Sequence, residues 1–255
     1  MTAVLEQPTV RTEPRSRVGE IWRVVRLHAV TPSVFFGIPW IILGAAWLVM
    51  IIIGIIAGAA GADTVKMGEG MRYSWAVLSP QWYLVAVGVQ AIGLTMSFAL
   101  GFGATRRDFW LGTGLMFGIV SLLNAIAIAT LVQLEKLTNG WWLKVSMFDS
   151  LWYGQGGWLV DFYTTFALQL FVLFIGASVT TVFLRWRMRG MLVLAFGAIA
   201  LALGGVAIAT LTQSWPAIFT WFGSIGVVGV FTVVLGLALV FAIGGYVVIR
   251  RATPR

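Results

Sequence analysis

Residues 33–61 read SVFFGIPWIILGAAWLVMIIIGIIAGAAG, with no charged side chain anywhere in the run. A helix needs about 20 mostly apolar residues to cross a hydrocarbon layer about 30 Å thick. This stretch exceeds that length, so a membrane-spanning helix is expected. A cleaved signal peptide fits poorly, because its apolar region is short and starts near the N-terminus. Here the run begins after a polar and amphipathic leader, and it reads as an uncleaved first span. Pro39 is expected to kink it or to mark where the true span begins.

Working outward, five more runs qualify: 82–104, 109–132, 162–184, 191–212 and 219–249. The first and last runs exceed the minimum, which predicts tilt, kinking or an interfacial extension. Composition agrees with six spans. Sixty per cent of the chain is apolar, 10% is charged, and the mean hydropathy is +0.94. A soluble domain of 255 residues could not bury that much apolar surface. Disorder is excluded too, because disordered chains are poor in apolar residues.

Thirteen of the seventeen basic residues fall on one side of a six-span layout. They are Arg11, Arg15, Arg17, Arg23 and Arg26 before the first span, Arg106 and Arg107, Arg185, Arg187 and Arg189 in two turns, and Arg250, Arg251 and Arg255 at the end. The positive-inside rule then predicts cytoplasmic N- and C-termini. The net charge of +8 is accounted for by topology and anionic lipid, so no nucleic-acid partner is expected. The chain divides into a disordered basic tail (1–17), an amphipathic connecting helix (18–30), a six-helix transmembrane domain (31–251) and a C-terminal tail (252–255). The fold class is all-α membrane protein.

Chemistry is sparse. Without cysteine, disulfides, thiolate metal sites and cysteine nucleophiles are absent. No ionisable residue lies near the middle of a span, which disfavours a proton-coupled pump. Asp161 is expected as a solvated helix start, and Glu135 at an outer edge. The single histidine, His28, precedes the first span and reads as an interfacial residue, so a histidine-dependent enzyme lacks its base. There is no phosphate loop, and no catalytic or metal-ligating residue is assigned. Gln90, Thr95, Asn124 and Gln169 are candidates for interhelical hydrogen bonds or a weakly polar pathway. Gly54/Gly58 and Gly114/Gly118 are GxxxG pairs that suit close helix packing. The outward loop 135–161 carries Trp141, Trp142, Trp152, Tyr153 and Trp158, a density that fits an aromatic belt.

Two features on the basic side carry more information. Val18, Ile21, Trp22, Val25 and Ala29 recur at helical spacing, with Glu20 and Arg23 off the stripe, as in an interfacial helix. The turn 101–112, GFGATRRDFWLG, joins glycines, two arginines, an acid and two aromatics. This GxTRRDFxxG pattern, with the amphipathic helix, six spans and cytoplasmic ends, resembles the permeases of type-2 ABC exporters along nearly the whole chain. The resemblance implies that Thr105, Arg106, Arg107, Asp108 and Phe109 form a coupling element. It implies that Ile21, Trp22, Arg23 and Arg26 belong to a connecting helix, and that two permease chains, identical or paralogous, enclose the pathway. It further implies two copies of a cytosolic ATPase that carries ATP and magnesium, since this chain holds no cofactor of its own. The expected location is a bacterial plasma membrane. One departure stands out: the outer turn between the last two spans, a re-entrant helical hairpin in that family, is brief here unless it invades 219–222. The competing reading is a non-transporting membrane scaffold or an immunity or assembly protein, which would not require the turn.

Overall fold

The computed structural model describes residues 16–251, so the expected tails lie outside it apart from Ser16 and Arg17. Among the described residues every regular element is helical. In chain order they are α1 (Arg17–Ala29), a π-helical turn (Ser33–Gly37) running into α2 (Ile38–Ala59), α3 (Thr64–Met71), a 3-10 turn (Ala76–Leu78), α4 (Ser79–Gly93), α5 (Thr95–Gly101), α6 (Arg106–Leu137), a second π-helical turn (Gly140–Lys144), α7 (Trp158–Leu211) and α8 (Trp215–Ile249). Five segments are long and apolar enough to cross a membrane: Ser33–Ala59, Thr64–Gly101, Arg106–Leu137, Trp158–Leu211 and Trp215–Ile249. The chain is all-α and compatible with a membrane protein.

Pro39 does not kink α2. It lies in the first turn, where its missing N–H would have no intrahelical acceptor anyway. The irregularity sits just before it, in the π-helical turn.

The 54-residue α7 would be about 80 Å long if straight, but Arg187 interrupts it with φ 52° and ψ −143°. A Cβ on Gly190 would lie 3.2 Å from Val182 Cγ1, whereas residues eight apart on a straight helix are separated by about 12 Å. The chain therefore doubles back at Arg187, making two arms, 158–186 and 188–211. In α8, Gly226 takes φ 62° and ψ −175°, a conformation open essentially to glycine alone. It detaches a short helix, 215–225, from the long one, 227–249. The run expected at 219–249 is thus divided, and its first residues belong to the short helix.

The first arm of α7 runs parallel to the long part of α8. The Tyr163 and Thr232 hydroxyls lie 2.9 Å apart, and Ser178 Oγ donates to the Phe241 carbonyl at 2.6 Å. Arg106 Nη1 donates to the Arg250 carbonyl at 3.1 Å. These contacts bring α1, the α5–α6 turn, the Arg187 bend and the end of α8 to one end of the bundle, called here the arginine end. The opposite end holds α3 and the segment 138–157 and is called the tryptophan end.

One buried cluster, including Val24, Phe35, Leu84, Val87, Phe109, Phe117 and Leu173, fills the arginine half. A second, including Leu43, Met50, Val132, Met147, Phe148 and Tyr153, fills the other. The tightest helix crossing joins α4 to α7. A Cβ on Gly88 would lie 3.1 Å from Ala177 N, and one on Gly176 would lie 3.0 Å from Val89 N. The GxxxG pairs do not make it: Gly118 faces open space, Gly114 has only ordinary contact with Phe174, and Gly54 faces Val145 outside the long helices.

Candidate functional site

The α1–α6 junction at the arginine end gathers most of the residues singled out by the sequence. Thr105 is the N-cap of α6. Its hydroxyl accepts from Asp108 N at 3.1 Å and donates to Asp108 Oδ2 at 2.6 Å. This is a capping arrangement with an acid in the first turn, which favours the helix N-terminus. Phe109 is fully buried. Its ring belongs to this chain's own core. Gly112 is the point where α1 crosses, because a Cβ there would meet Val24 Cγ1 at 2.8 Å and the Ile21 carbonyl at 2.9 Å. Thr105, Asp108, Phe109 and Gly112 thus shape the junction. Arg106 closes it onto α8, and Arg107 remains exposed.

The helix expected over 18–30 forms as α1, capped by Ser16, whose Oγ accepts from Gly19 N. Its apolar stripe is rotated relative to the expectation. Val24, Val25 and His28 face α6, while Val18 and Trp22 are exposed. Ile21 is half-buried, and Arg23 and Arg26 are exposed. Arg23 pairs with Glu20 at 2.9 Å. α1 therefore has two apolar faces, one packed on the bundle and one outward, because buried Gly112 admits the Val24 side.

His28 is corrected as well. It is buried, with only 2% of its surface exposed, and its Nε2 lies 3.0 Å from Thr113 Oγ1. The rings of Phe35 and Phe109 pack beside it. Burial among apolar rings penalises the charged imidazolium and lowers its pKa to about 4. At neutral pH His28 is an uncharged bolt between α1 and α6.

Between α1 and the α5–α6 turn lies a groove of about 420 Å³, lined by Glu20, Arg23, Arg26, Leu27, Ala99 and Phe102 among others. Phe102 is 75% exposed, so it, not Phe109, is the aromatic surface of this turn.

At the tryptophan end, sequence reasoning missed two carboxylates. Glu135 is 1% exposed. Its oxygens accept from Trp141 Nε1 at 2.7 Å and from the backbone N–H groups of Met147, Phe148 and Asp149 at 3.0, 3.0 and 2.8 Å. Asp161 is wholly buried, not solvated, and accepts from Gly154 N at 2.8 Å and Gln133 Nε2 at 3.2 Å. Arg72 bonds Asp149 at 2.7 Å, and Lys136 donates to the Gly154 carbonyl. The aromatic loop is consequently a folded cap more than a belt. Trp141 packs on Trp47 and Phe148, and Trp152 on Tyr153 and Phe231, while Trp142 is 81% exposed.

The four pathway candidates do not converge. Gln90 is exposed. Thr95 donates to the Ala91 carbonyl of its own helix. Asn124 Oδ1 accepts from Trp40 Nε1 at 3.0 Å, tying α2 to α6. Gln169 is buried, with its Oε1 lacking a protein partner. No group of three or more His, Cys, Asp or Glu side chains lies together as a metal site among the described residues. Comparison with family models, curated proteins and solved structures returned no match.

Proposed function

We propose that this chain is the membrane-spanning permease subunit of an ATP-driven exporter of the type-2 ABC kind. It crosses a bacterial plasma membrane six times, with both termini in the cytoplasm. It pairs with a second copy or a similar paralogue, and two copies of a cytosolic ATPase supply ATP and magnesium. The observation that carries this proposal is the groove beside α1, with guanidinium groups on one wall and an exposed aromatic ring on the other, next to exposed Arg107. The doubling back at Arg187 supports the sixth pass, since it lets two membrane crossings arise from one long helix. The detached helix 215–225 supports the re-entrant element that the resemblance implies on the outer side.

Docking then uses Arg23, Arg26, Phe102 and Arg107, with Thr105, Asp108 and Phe109 shaping the turn and Arg106 holding it to α8. Truncating one member of a desolvated charge pair costs about 2–5 kcal/mol of association. Affinity purification of the tagged chain from its native membrane is expected to recover an ATP-hydrolysing subunit, and native mass measurement two copies of each. The pair Phe102→Ser and Arg107→Glu is expected to reduce recovery more than tenfold with insertion unchanged. Recovery at the wild-type level would remove the coupling assignment.

A second reading, a non-transporting scaffold, is favoured by one finding: Thr105, Asp108, Phe109 and Gly112 are all occupied in folding the junction. It predicts that the same purification recovers a membrane partner and no ATPase.

A further inference from the structure

The bend of α7 holds a cleft that the coupling assignment does not use. About 360 Å³ in volume, it is lined by Val182, Trp186, Arg189, Gly190, Val193 and Leu194. It opens where the two arms diverge, and the neighbouring Leu192, Val193 and Phe196 of the second arm are exposed apolar surface. Three arginines stand at this bend, Arg185, Arg187 and Arg189. Arg185 lies over the Trp186 ring at 4.3 Å and Arg187 over Phe183 at 5.5 Å. A guanidinium stacked on a ring keeps its in-plane N–H donors free at its edge, arranged for a phosphate. None of the three is in an ion pair or a hydrogen bond among the described residues. The chain from residue 162 to 255 contains no aspartate or glutamate at all.

We propose that this bend binds one anionic phospholipid, with an acyl chain in the apolar cleft and the headgroup phosphate on Arg185 and Arg189. The proposal rests on the membrane placement proposed above and on nothing about the ATPase. Charge complementarity selects the headgroup: three cations without a counter-ion at the arginine end meet the anionic leaflet, which attracts basic residues near its surface. Continuity of the cleft with the lipid-facing second arm selects a lipid over a soluble phosphate. Arg187 carries the strained backbone, so its role is to make the bend.

The full chain in mild detergent is titrated with phosphatidylglycerol and with phosphatidylcholine of the same acyl chains, and bound lipid is counted by native mass spectrometry. The wild type is expected to hold one phosphatidylglycerol at least fivefold more tightly than phosphatidylcholine. Arg185→Gln with Arg189→Gln is expected to abolish the preference, and Val193→Trp, which fills the cleft at unchanged charge, to weaken both lipids tenfold. Arg250→Gln with Arg251→Gln removes equal charge elsewhere at the same end and is expected to leave the preference intact. Equal binding of the two lipids by the wild type would overturn the site. So would equal loss in the Arg250/Arg251 variant, or unchanged binding in Val193→Trp. Loss of ATPase recovery alone would leave this result untouched, so the two proposals fail separately.

Discussion

The two ends of the bundle are fastened by opposite chemistry. At the tryptophan end a buried carboxylate, Glu135, accepts from four N–H groups and gathers the loop 141–149 around itself. At the arginine end a neutral imidazole, His28, makes one hydrogen bond to Thr113, and α1 otherwise holds on through Val24, Val25 and the Gly112 crossing. Removing a buried charge leaves several donors unsatisfied, whereas removing a neutral single bond leaves one. The cap at the tryptophan end is therefore locked and α1 is separable, which would suit the docking role proposed for it.

The sharpest way to break this contrast is Glu135→Ala. Four donors, two of them fully buried, lose their acceptor, and stability should fall by about 4 kcal/mol, read as a large drop in the thermal midpoint in detergent. Glu135→Gln, which keeps one carbonyl acceptor, should lose about half as much. A loss below about 1 kcal/mol for the alanine variant would mean that the cap is held by its aromatics alone.

Acid is expected to act next most strongly, through His28 at the arginine end. The pKa of His28 in the fold is about 4, below its ordinary value of 6.5, so the unfolded chain takes up the proton first. Its contribution is fully present above pH 6.5, is lost as pH falls from there towards 4, and totals about 3 kcal/mol. The residues packed against the ring, Phe35, Phe109 and Thr113, carry no charge to offset this. His28→Leu should remove this pH step from a denaturation series, while the step persists in Glu135→Gln.

Gly112→Val should push α1 away from α6, costing about 1–3 kcal/mol. By loosening α1 it should make the backbone at the exposed Arg23 and Arg26 cleavable by protease while leaving the loop 141–149 protected. Arg107→Glu is expected to change stability by less than about 0.5 kcal/mol, because the residue is exposed, yet to reduce recovery of the ATPase. A comparable loss of stability would assign Arg107 to the fold.

Much of this architecture was legible in the sequence. The apolar runs located the long helices, and Pro39 marked the start of α2. Val18 to Ala29 reads as a helix, but which face it buries depends on Gly112, far along the chain on α6, so the stripe lies a step off the expectation. Glu135, Asp161 and His28 were read as solvated or interfacial because polarity alone predicts exposure. Their burial depends on donors and rings supplied by distant segments, such as the amides of 147–149. The α4–α7 crossing uses Gly88 and Gly176, one from each helix, and so has no short-range spacing to read. The break at Gly226 lies inside an unbroken apolar run, where hydropathy carries no boundary.

Hydrogen exchange on the full chain, read separately for the amides of 17–29 and 145–154 at pH 7 and pH 5, tests the contrast most directly. α1 is expected to exchange through a local opening well below the global unfolding free energy, and to open further at pH 5 after correction for the intrinsic rate. The Glu135-bonded amides are expected to exchange only with global unfolding at both pH values. Equal protection of the two segments, or an acid-induced opening of 145–154 while α1 stays closed, would contradict a locked cap and a separable α1.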